Sequence, residues 1–157
     1  MTMLNRKWLL IACICFIAAC KNTKEKTLFS LVTDSNINFK NTLTESESFN
    51  VFKYRNFYNG GGVATGDLNN DGLPEIFFTA NQSSNKLYLN KGALQFEDIT
   101  TKAGISFSNE WSTGVVFVDI NADGWLDIYV CNAGNMMNKA LRKNKLYINN
   151  KNLTFTD

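Results

Sequence analysis

The chain has 157 residues, with 16 basic and 14 acidic side chains and no histidine. The lack of histidine excludes histidine-based catalytic triads and histidine zinc sites. The near-balance of charge gives no overall basic character of the kind that nucleic-acid binding uses, so we expect no nucleic-acid partner.

The first 19 residues have the parts of a secretory signal. Two basic residues precede an apolar stretch at 8–16, and small residues then lead to Cys20. The segment resembles a bacterial lipoprotein signal, which implies that Cys20 is lipidated and becomes the first residue of the mature protein. A plain secretory signal is the alternative, because a membrane-spanning helix needs roughly 20 apolar residues. Residues 20–27 are predicted to be a polar tether.

Removal of the signal changes both charge and cysteine content. It takes away two basic residues, which leaves equal numbers of basic and acidic side chains. Two cysteines leave with the signal and Cys20 would carry lipid, so only Cys131 remains as a free thiol. Cys131 follows an apolar run, and we expect it to pack as a small hydrophobe rather than act as a nucleophile.

A lead-in segment at 28–61 precedes two similar units, predicted at 62–112 and 113–157. The lead-in is a candidate to supply a strand to another unit. Each unit starts with a short strand, at 62–66 or 114–118, which delivers the chain into a nine-residue loop. The two loops begin 52 residues apart, and their duplication indicates a structural repeat.

The loops carry oxygen side chains at positions 1, 3, 5 and 9 and a glycine at position 6, a pattern that suits a hard cation such as Ca²⁺. The predicted ligands are the side chains of Asp67, Asn69, Asp71, Glu75, Asp119, Asn121, Asp123 and Asp127, and the main-chain carbonyls of Leu73 and Trp125. Each loop is expected to gather three carboxylates, which repel one another without a cation. Mg²⁺ is less suited, because it requires a tighter octahedron. The alternative is that these residues only form hydrogen-bonded turns.

The sequence after each loop excludes an EF-hand and predicts strands. Position 12 is apolar in both loops, where an EF-hand has a bidentate glutamate. A short β-branched and aromatic run follows, and then an Asn-Lys-Leu-Tyr strand at 85–90 or 144–149. These strands lie 59 residues apart, so the second unit has a seven-residue insertion within 133–143. Residues 91–93 are predicted to connect a hairpin.

Each unit is thus predicted to contain four short antiparallel strands, which is the content of one propeller blade. The predicted fold is all-β: a partial β-propeller of about two four-stranded blades after the signal peptide. Basic residues at the insertion could contact an anionic glycan, although a solvated loop explains them as well. The acids cluster in the loops, which leaves no free carboxylate pair for glycoside hydrolysis, and we predict no catalytic residue.

The loops, the Asn-Lys-Leu-Tyr strands and the Phe-x-Asp endings resemble FG-GAP or VCBS repeats of integrin-type β-propellers. More closely, they resemble bacterial surface lipoproteins that join such repeats to an ASPIC/UnbV domain and are related to cartilage acidic protein. The resemblance covers about 28–157. It implies calcium ligands at the loop positions given above, although asparagine replaces the commoner aspartate at position 3 of both loops.

The resemblance implies a non-catalytic, calcium-binding propeller segment that mediates adhesion or binds a glycan or protein. It also implies export and lipid anchoring at the bacterial cell envelope, in the outer membrane or at the cell surface. No ASPIC/UnbV segment is recognisable, so we expect an N-terminal fragment whose remaining blades lie in a longer chain. The alternative is the scaffold part of a secreted carbohydrate-active enzyme, such as a polysaccharide lyase with a calcium-loaded propeller.

Overall fold

The computed structural model of the chain describes residues 27–105, 110–134 and 138–157. Residues 27–32 belong to a separate unit, and their side chains are exposed. All structural features described below belong to the second unit, Thr33–Asp157. The predicted signal, the lipidation site Cys20 and nearly all of the tether lie outside the described residues. Within the described ranges, no helix is both long and apolar enough to cross a membrane.

Two four-stranded antiparallel sheets make up the regular structure, in the orders β1-β2-β3-β4 and β5-β6-β7-β8. The strands are β1 Val63–Gly66, β2 Glu75–Phe78, β3 Lys86–Asn90, β4 Phe96–Asp98, β5 Trp111–Val118, β6 Asp127–Ala133, β7 Lys145–Asn149 and β8 Phe155–Thr156. A 3₁₀ turn, Lys139–Arg142, lies in the insertion, and the described residues contain no α-helix. The predicted all-β fold of two four-stranded units is confirmed.

The hairpin between β3 and β4 is closed by backbone bonds. The Lys91 amide donates to the Gln95 carbonyl at 2.8 Å, and the Gln95 amide donates to the Gly92 carbonyl at 2.9 Å. Gly92, Ala93 and Leu94 all have positive φ, between 50° and 82°. Glycine adopts this conformation without steric cost, which accounts for its place at the start of the turn.

The first strand of the second sheet is longer than the sequence predicts. It begins at Trp111, whereas the repeat predicted a start at Gly114, so the unit boundary drawn between 112 and 113 falls inside β5. The register with β6 shifts between Ser112 and Gly114. Such a shift marks a bulge, which the repeat pattern of the first unit does not contain.

The hydrophobic core lies between the two sheets. Phe77 of β2 pairs with Leu87 of β3, and both side chains are fully buried. They share one core cluster with Ile128, Val130 and Tyr147 of the second sheet. Neighbouring strands place paired side chains on the same face of a sheet, so this core is formed by one face from each sheet.

The opposite face of the first sheet is covered by part of the lead-in, residues 34–44, which we name the strap. The Phe39 ring stacks on Phe78 with centroids 4.8 Å apart, and the Tyr88 hydroxyl bonds to Asn38 Oδ1 at 2.9 Å. No strand is assigned in residues 27–62. The strap therefore covers the sheet without extending it.

We predict that Phe77→Ala lowers the free energy of unfolding by about 3–5 kcal/mol, because it removes a buried ring and leaves a cavity between the sheets. Leu94→Ala is the control. Leu94 is 57% exposed, so its truncation should lower the free energy of unfolding only slightly. Urea denaturation followed by tryptophan fluorescence measures both. Equal losses for the two variants would show that the inter-sheet core is not where the sequence places it.

Candidate functional site

The first loop, 67–75, folds around its own acidic and amide side chains. Asp67 Oδ1 accepts from the Asp71 amide at 3.1 Å, and Oδ2 accepts from the Gly72 amide at 2.8 Å. Asn69 Oδ1 also accepts from the Asp71 amide, and Asp71 Oδ1 accepts from the Leu73 amide at 2.8 Å. Three side chains thus hold the backbone in a tight turn.

The second loop, 119–127, repeats these bonds. Asp119 accepts from the amides of Asp123 at 3.0 Å and Gly124 at 2.9 Å. Asn121 accepts from Asp123 at 3.1 Å, and Asp123 accepts from the Trp125 amide at 3.0 Å. The glycines at position 6 have φ of 85° and 83°, a conformation that other residues adopt only with strain. The two loops are therefore structural equivalents as well as sequence repeats.

The acid at position 9 of the first loop is fully buried. Glu75 Oε2 accepts from the Leu68 amide at 2.7 Å, and Oε1 lies 3.4 Å from the Asn90 amide nitrogen, which donates to it. Burial raises the pKa of Glu75, and the negative charges of Asp71 and Asp67 raise it further, whereas the two amides act to lower it. A nearby cation would favour the charged form of this carboxyl.

Asp127 occupies the same place in the second loop and is also fully buried. Its Oδ2 accepts from the Ile120 amide at 3.1 Å, and its Oδ1 accepts from the Asn149 amide at 2.8 Å. In each unit, one carboxylate therefore joins the start of the loop to the end of the third strand.

Asn149 has a role that the sequence reasoning missed, because it connects the two loops. Its Nδ2 donates to the Leu68 carbonyl in the first loop at 2.8 Å and to the Leu126 carbonyl in the second at 3.0 Å. Asn70 adds a second link, donating to the Gly124 carbonyl at 3.2 Å. The sequence feature that could have pointed to this role is the position of Asn149 at the end of the repeated Asn-Lys-Leu-Tyr strand.

The loops differ at position 5. Lys151 Nζ lies 3.2 Å from Asp123 Oδ2, whereas Asp71 Oδ2 accepts from the Asn69 amide group at 2.8 Å. Burial acts to raise the pKa of Asp123, but the Trp125 amide and the Lys151 ammonium outweigh it and lower the pKa below its usual value. A cation entering the second loop would have to compete with Lys151.

The donor chemistry of both loops fits a hard cation, since every side-chain ligand offers oxygen. Among the described residues, no three Asp, Glu, Cys or His side chains form a cluster that could hold a metal ion. The expected gathering of three carboxylates is therefore not present, and the carboxylates accept loop amides instead. Each ionised carboxylate has about four acceptor positions, so these bonds leave capacity for a cation.

The two residues predicted to contribute main-chain carbonyls lie at corresponding places. Leu73 is 37% exposed and Trp125 is half-buried, and the amide of each donates to the acid two positions earlier. Cys131 is a free, half-buried thiol on β6.

Residues 67–130 match the family model of the FG-GAP-like repeat. The match starts at the first residue of the first loop and ends in β6, so it includes both loops. Over 74 residues the chain is 36% identical to cartilage acidic protein 1 of Xenopus tropicalis, a stretch that is 46% of this chain and 11% of that protein. The FG-GAP-like repeat is consistent with the two four-stranded sheets.

We predict that Asn149→Ala lowers the free energy of unfolding by about 1–3 kcal/mol, because it removes the bonds to the buried Leu68 carbonyl and to the partly buried Leu126 carbonyl. Asn90→Ala is the matched control: Asn90 ends β3 and bonds only one carbonyl through its side chain, that of Pro74, at 3.0 Å. Thermal and urea unfolding measure both variants. A loss for Asn90→Ala as large as that for Asn149→Ala would show that the inter-loop link adds nothing.

Proposed function

We propose that this chain is a calcium-stabilised segment of a β-propeller. The observation that carries the proposal is the equivalence of the two loops: the same oxygens accept from the same amides, 52 residues apart, at the same corner of each sheet. The FG-GAP-like match across both loops supports it.

In this proposal each loop holds one cation with its five predicted ligand residues, and each cation supplies positive charge that favours the ionised form of the nearby carboxyls. The other interactions that hold the loops in place are made by residues of the chain itself. Loop amides orient Asp67 and Asp119, while Glu75 and Asp127 connect each loop to the sheet behind it. Binding would therefore stabilise the junction between loop and strands, and sites as weak as about 10⁻⁴ to 10⁻³ M fill at extracellular calcium levels.

We predict that Ca²⁺ raises the melting temperature of the chain and that a chelator reverses the rise. At a calcium concentration ten times the Kd, each loop contributes about 1.4 kcal/mol. The combination of Asp71→Ala and Asp123→Ala should abolish the response, whereas Asp34→Ala, which changes an exposed acid outside the loops, should not. Differential scanning calorimetry with and without chelator measures the shift. An unchanged melting temperature in the unaltered chain would refute calcium binding.

The role that we propose is structural or binding rather than catalytic. The chain contains no histidine, and its described buried carboxylates are bonded to backbone amides, which leaves them poorly placed for acid–base chemistry. The proposed partners are the remaining blades of a longer chain and a glycan or protein ligand that the assembled propeller binds in adhesion. Lys139, Arg142 and Lys143 are exposed at the insertion and would suit an anionic ligand.

We also propose that the protein is exported and held at the bacterial envelope by lipid on Cys20. The support is the order of basic, apolar and small residues before Cys20, followed by a polar stretch. A lipid anchor places the repeats outside the cytoplasm, where calcium is available to the loops.

Lipidation predicts that the full-length protein partitions into the detergent phase and that Cys20→Ala moves it to the aqueous phase, because the acyl chains supply the membrane affinity. Cys15→Ala is the matched control, since Cys15 lies in the part of the signal that is removed. Phase separation of whole-cell extracts followed by immunoblotting gives the result. Detergent partitioning that survives Cys20→Ala would eliminate the anchor.

A further inference from the structure

One position in the turn after the third strand of each sheet differs between the two units. Lys151 stands where the first unit has Gly92, at the spacing of 59. The two turns form the same bond: the Gly92 amide donates to Asn90 Oδ1 and the Lys151 amide donates to Asn149 Oδ1, each at 2.9 Å. The turns are therefore equivalent in their backbone, and the second one adds a charged side chain.

The backbone of Lys151 favours glycine rather than lysine. Its φ is 64°, in the left-handed region where Gly92 has 82°. A residue with a Cβ atom adopts this region at a steric cost, which glycine avoids. The turn itself does not require a lysine, because glycine forms the same bond in the first unit. The reason for a lysine at this position therefore lies in the contacts of its side chain.

The Lys151 side chain reaches the second loop. Its Nζ lies 3.2 Å from Oδ2 of Asp123, the acid at loop position 5, and both side chains are partly exposed. The other oxygen of the same carboxylate, Oδ1, accepts from the Trp125 amide. The ammonium group thus contacts the oxygen that this amide leaves free. It places a compact positive charge beside a predicted calcium ligand.

The first loop has no counterpart to this ammonium group. Within the part of the chain that the structure describes, no lysine or arginine forms an ion pair with Asp67, Asp71 or Glu75. A Cβ atom added at Gly92 would meet one neighbour, Cδ1 of Leu73, at 3.9 Å, which is an ordinary contact. Leu73 is position 7 of the first loop. Position 92 therefore borders the first loop and has room for a side chain there.

We propose that Lys151 is a tethered cation that occupies the second loop in the absence of calcium, so that the first loop fills at a lower calcium concentration than the second. The inference rests on the proposed calcium function. Lysine has donors and no acceptor, so Lys151 is a competitor of the metal and not a ligand. Its ammonium group has to withdraw before Asp123 Oδ2 can bind calcium, and like charges repel after it has withdrawn.

The same contact makes the second loop less dependent on calcium. Each loop contains three acids, but the second has Lys151 in addition. An opposite charge nearby favours the ionised form of a carboxyl, as a bound cation does. When no metal is bound, the second loop therefore has a compensating charge and the first loop has none among the described ion pairs. The two loops differ both in affinity and in what calcium contributes to them.

The test measures calcium binding to each loop separately, by isothermal titration calorimetry of the full-length chain at low salt. Asp71→Ala leaves the second loop intact, and Asp123→Ala leaves the first. In the Asp71→Ala chain, Lys151→Gln removes the charge and keeps a long side chain, so it should lower the Kd for calcium about two- to fivefold, the range expected for a partly exposed ion pair. Lys151→Arg keeps the charge and should not lower the Kd. Added salt should reduce the effect of Lys151→Gln, because it screens exposed charges.

The reciprocal experiment transfers the lysine to the first loop. In the Asp123→Ala chain, Gly92→Lys should raise the Kd for calcium about two- to fivefold. Gly92→Gln is the matched control, since it introduces the same backbone strain without charge and should raise the Kd less. Circular dichroism in chelator establishes that each variant is folded. If the alanine variants are not folded, Asp71→Asn and Asp123→Asn take their place.

The results separate the role of Lys151 from calcium binding itself. Binding that is absent from the unaltered chain and from every variant eliminates both proposals. If the loops bind calcium but Lys151→Gln leaves the Kd of the second loop unchanged, calcium binding stands and the role of Lys151 is overturned. A fall in Kd with Lys151→Arg as large as that with Lys151→Gln also overturns it, because the effect would then not come from charge.

Discussion

One buried carboxylate in each unit holds the loop, the second strand and the third strand together. Glu75 and Asp127 are the first residues of β2 and β6, both are fully buried, and each accepts from one amide in its loop and one at the end of the third strand. Leaving a buried charge without partners costs several kcal/mol. Opening the loop would therefore deprive this buried carboxylate of its loop amide, which opposes opening.

The features that could be predicted from the sequence depend on residues that lie close together in the chain. The loops follow from a nine-residue pattern, and the strands follow from short apolar runs at fixed offsets from each loop. The core-facing residues of the second sheet also follow from the sequence, because alternation along a strand fixes which side chains share one face of a sheet. The extension of β5 back to Trp111 was not predictable from the repeat, since the first unit has no counterpart for the bulge.

The strap and the inter-loop link depend on contacts between distant parts of the chain. Phe39 stacks on Phe78, and the Asn149 side chain bonds a carbonyl 81 residues away. A single sequence does not indicate which distant residues contact each other. The strap has an alternating pattern, but its mixture of polar and apolar residues resembles a loop as much as a strand. Asn149 was recognised as part of a repeated motif, yet its bonding partners could be identified only from the structure.

Repetition has also not made the two units identical. Lys151 pairs with Asp123, whereas the corresponding Asp71 is exposed and bonded to Asn69. The described residues also differ in how they cover the first sheet, which packs on the second sheet with one face and on the strap with the other.

The strap also comes before the first sheet in the order in which the chain is synthesised. Domains form from the N-terminus as the chain emerges, and exposed apolar surface in partly made proteins promotes aggregation. The strap precedes Phe78 and Tyr88 in the sequence, so it is already present when those side chains first become available to fold. The first sheet can therefore complete one of its faces before any residue of the second sheet has been made. The residues that cover Phe78 and Tyr88 are thus synthesised before the side chains that they cover.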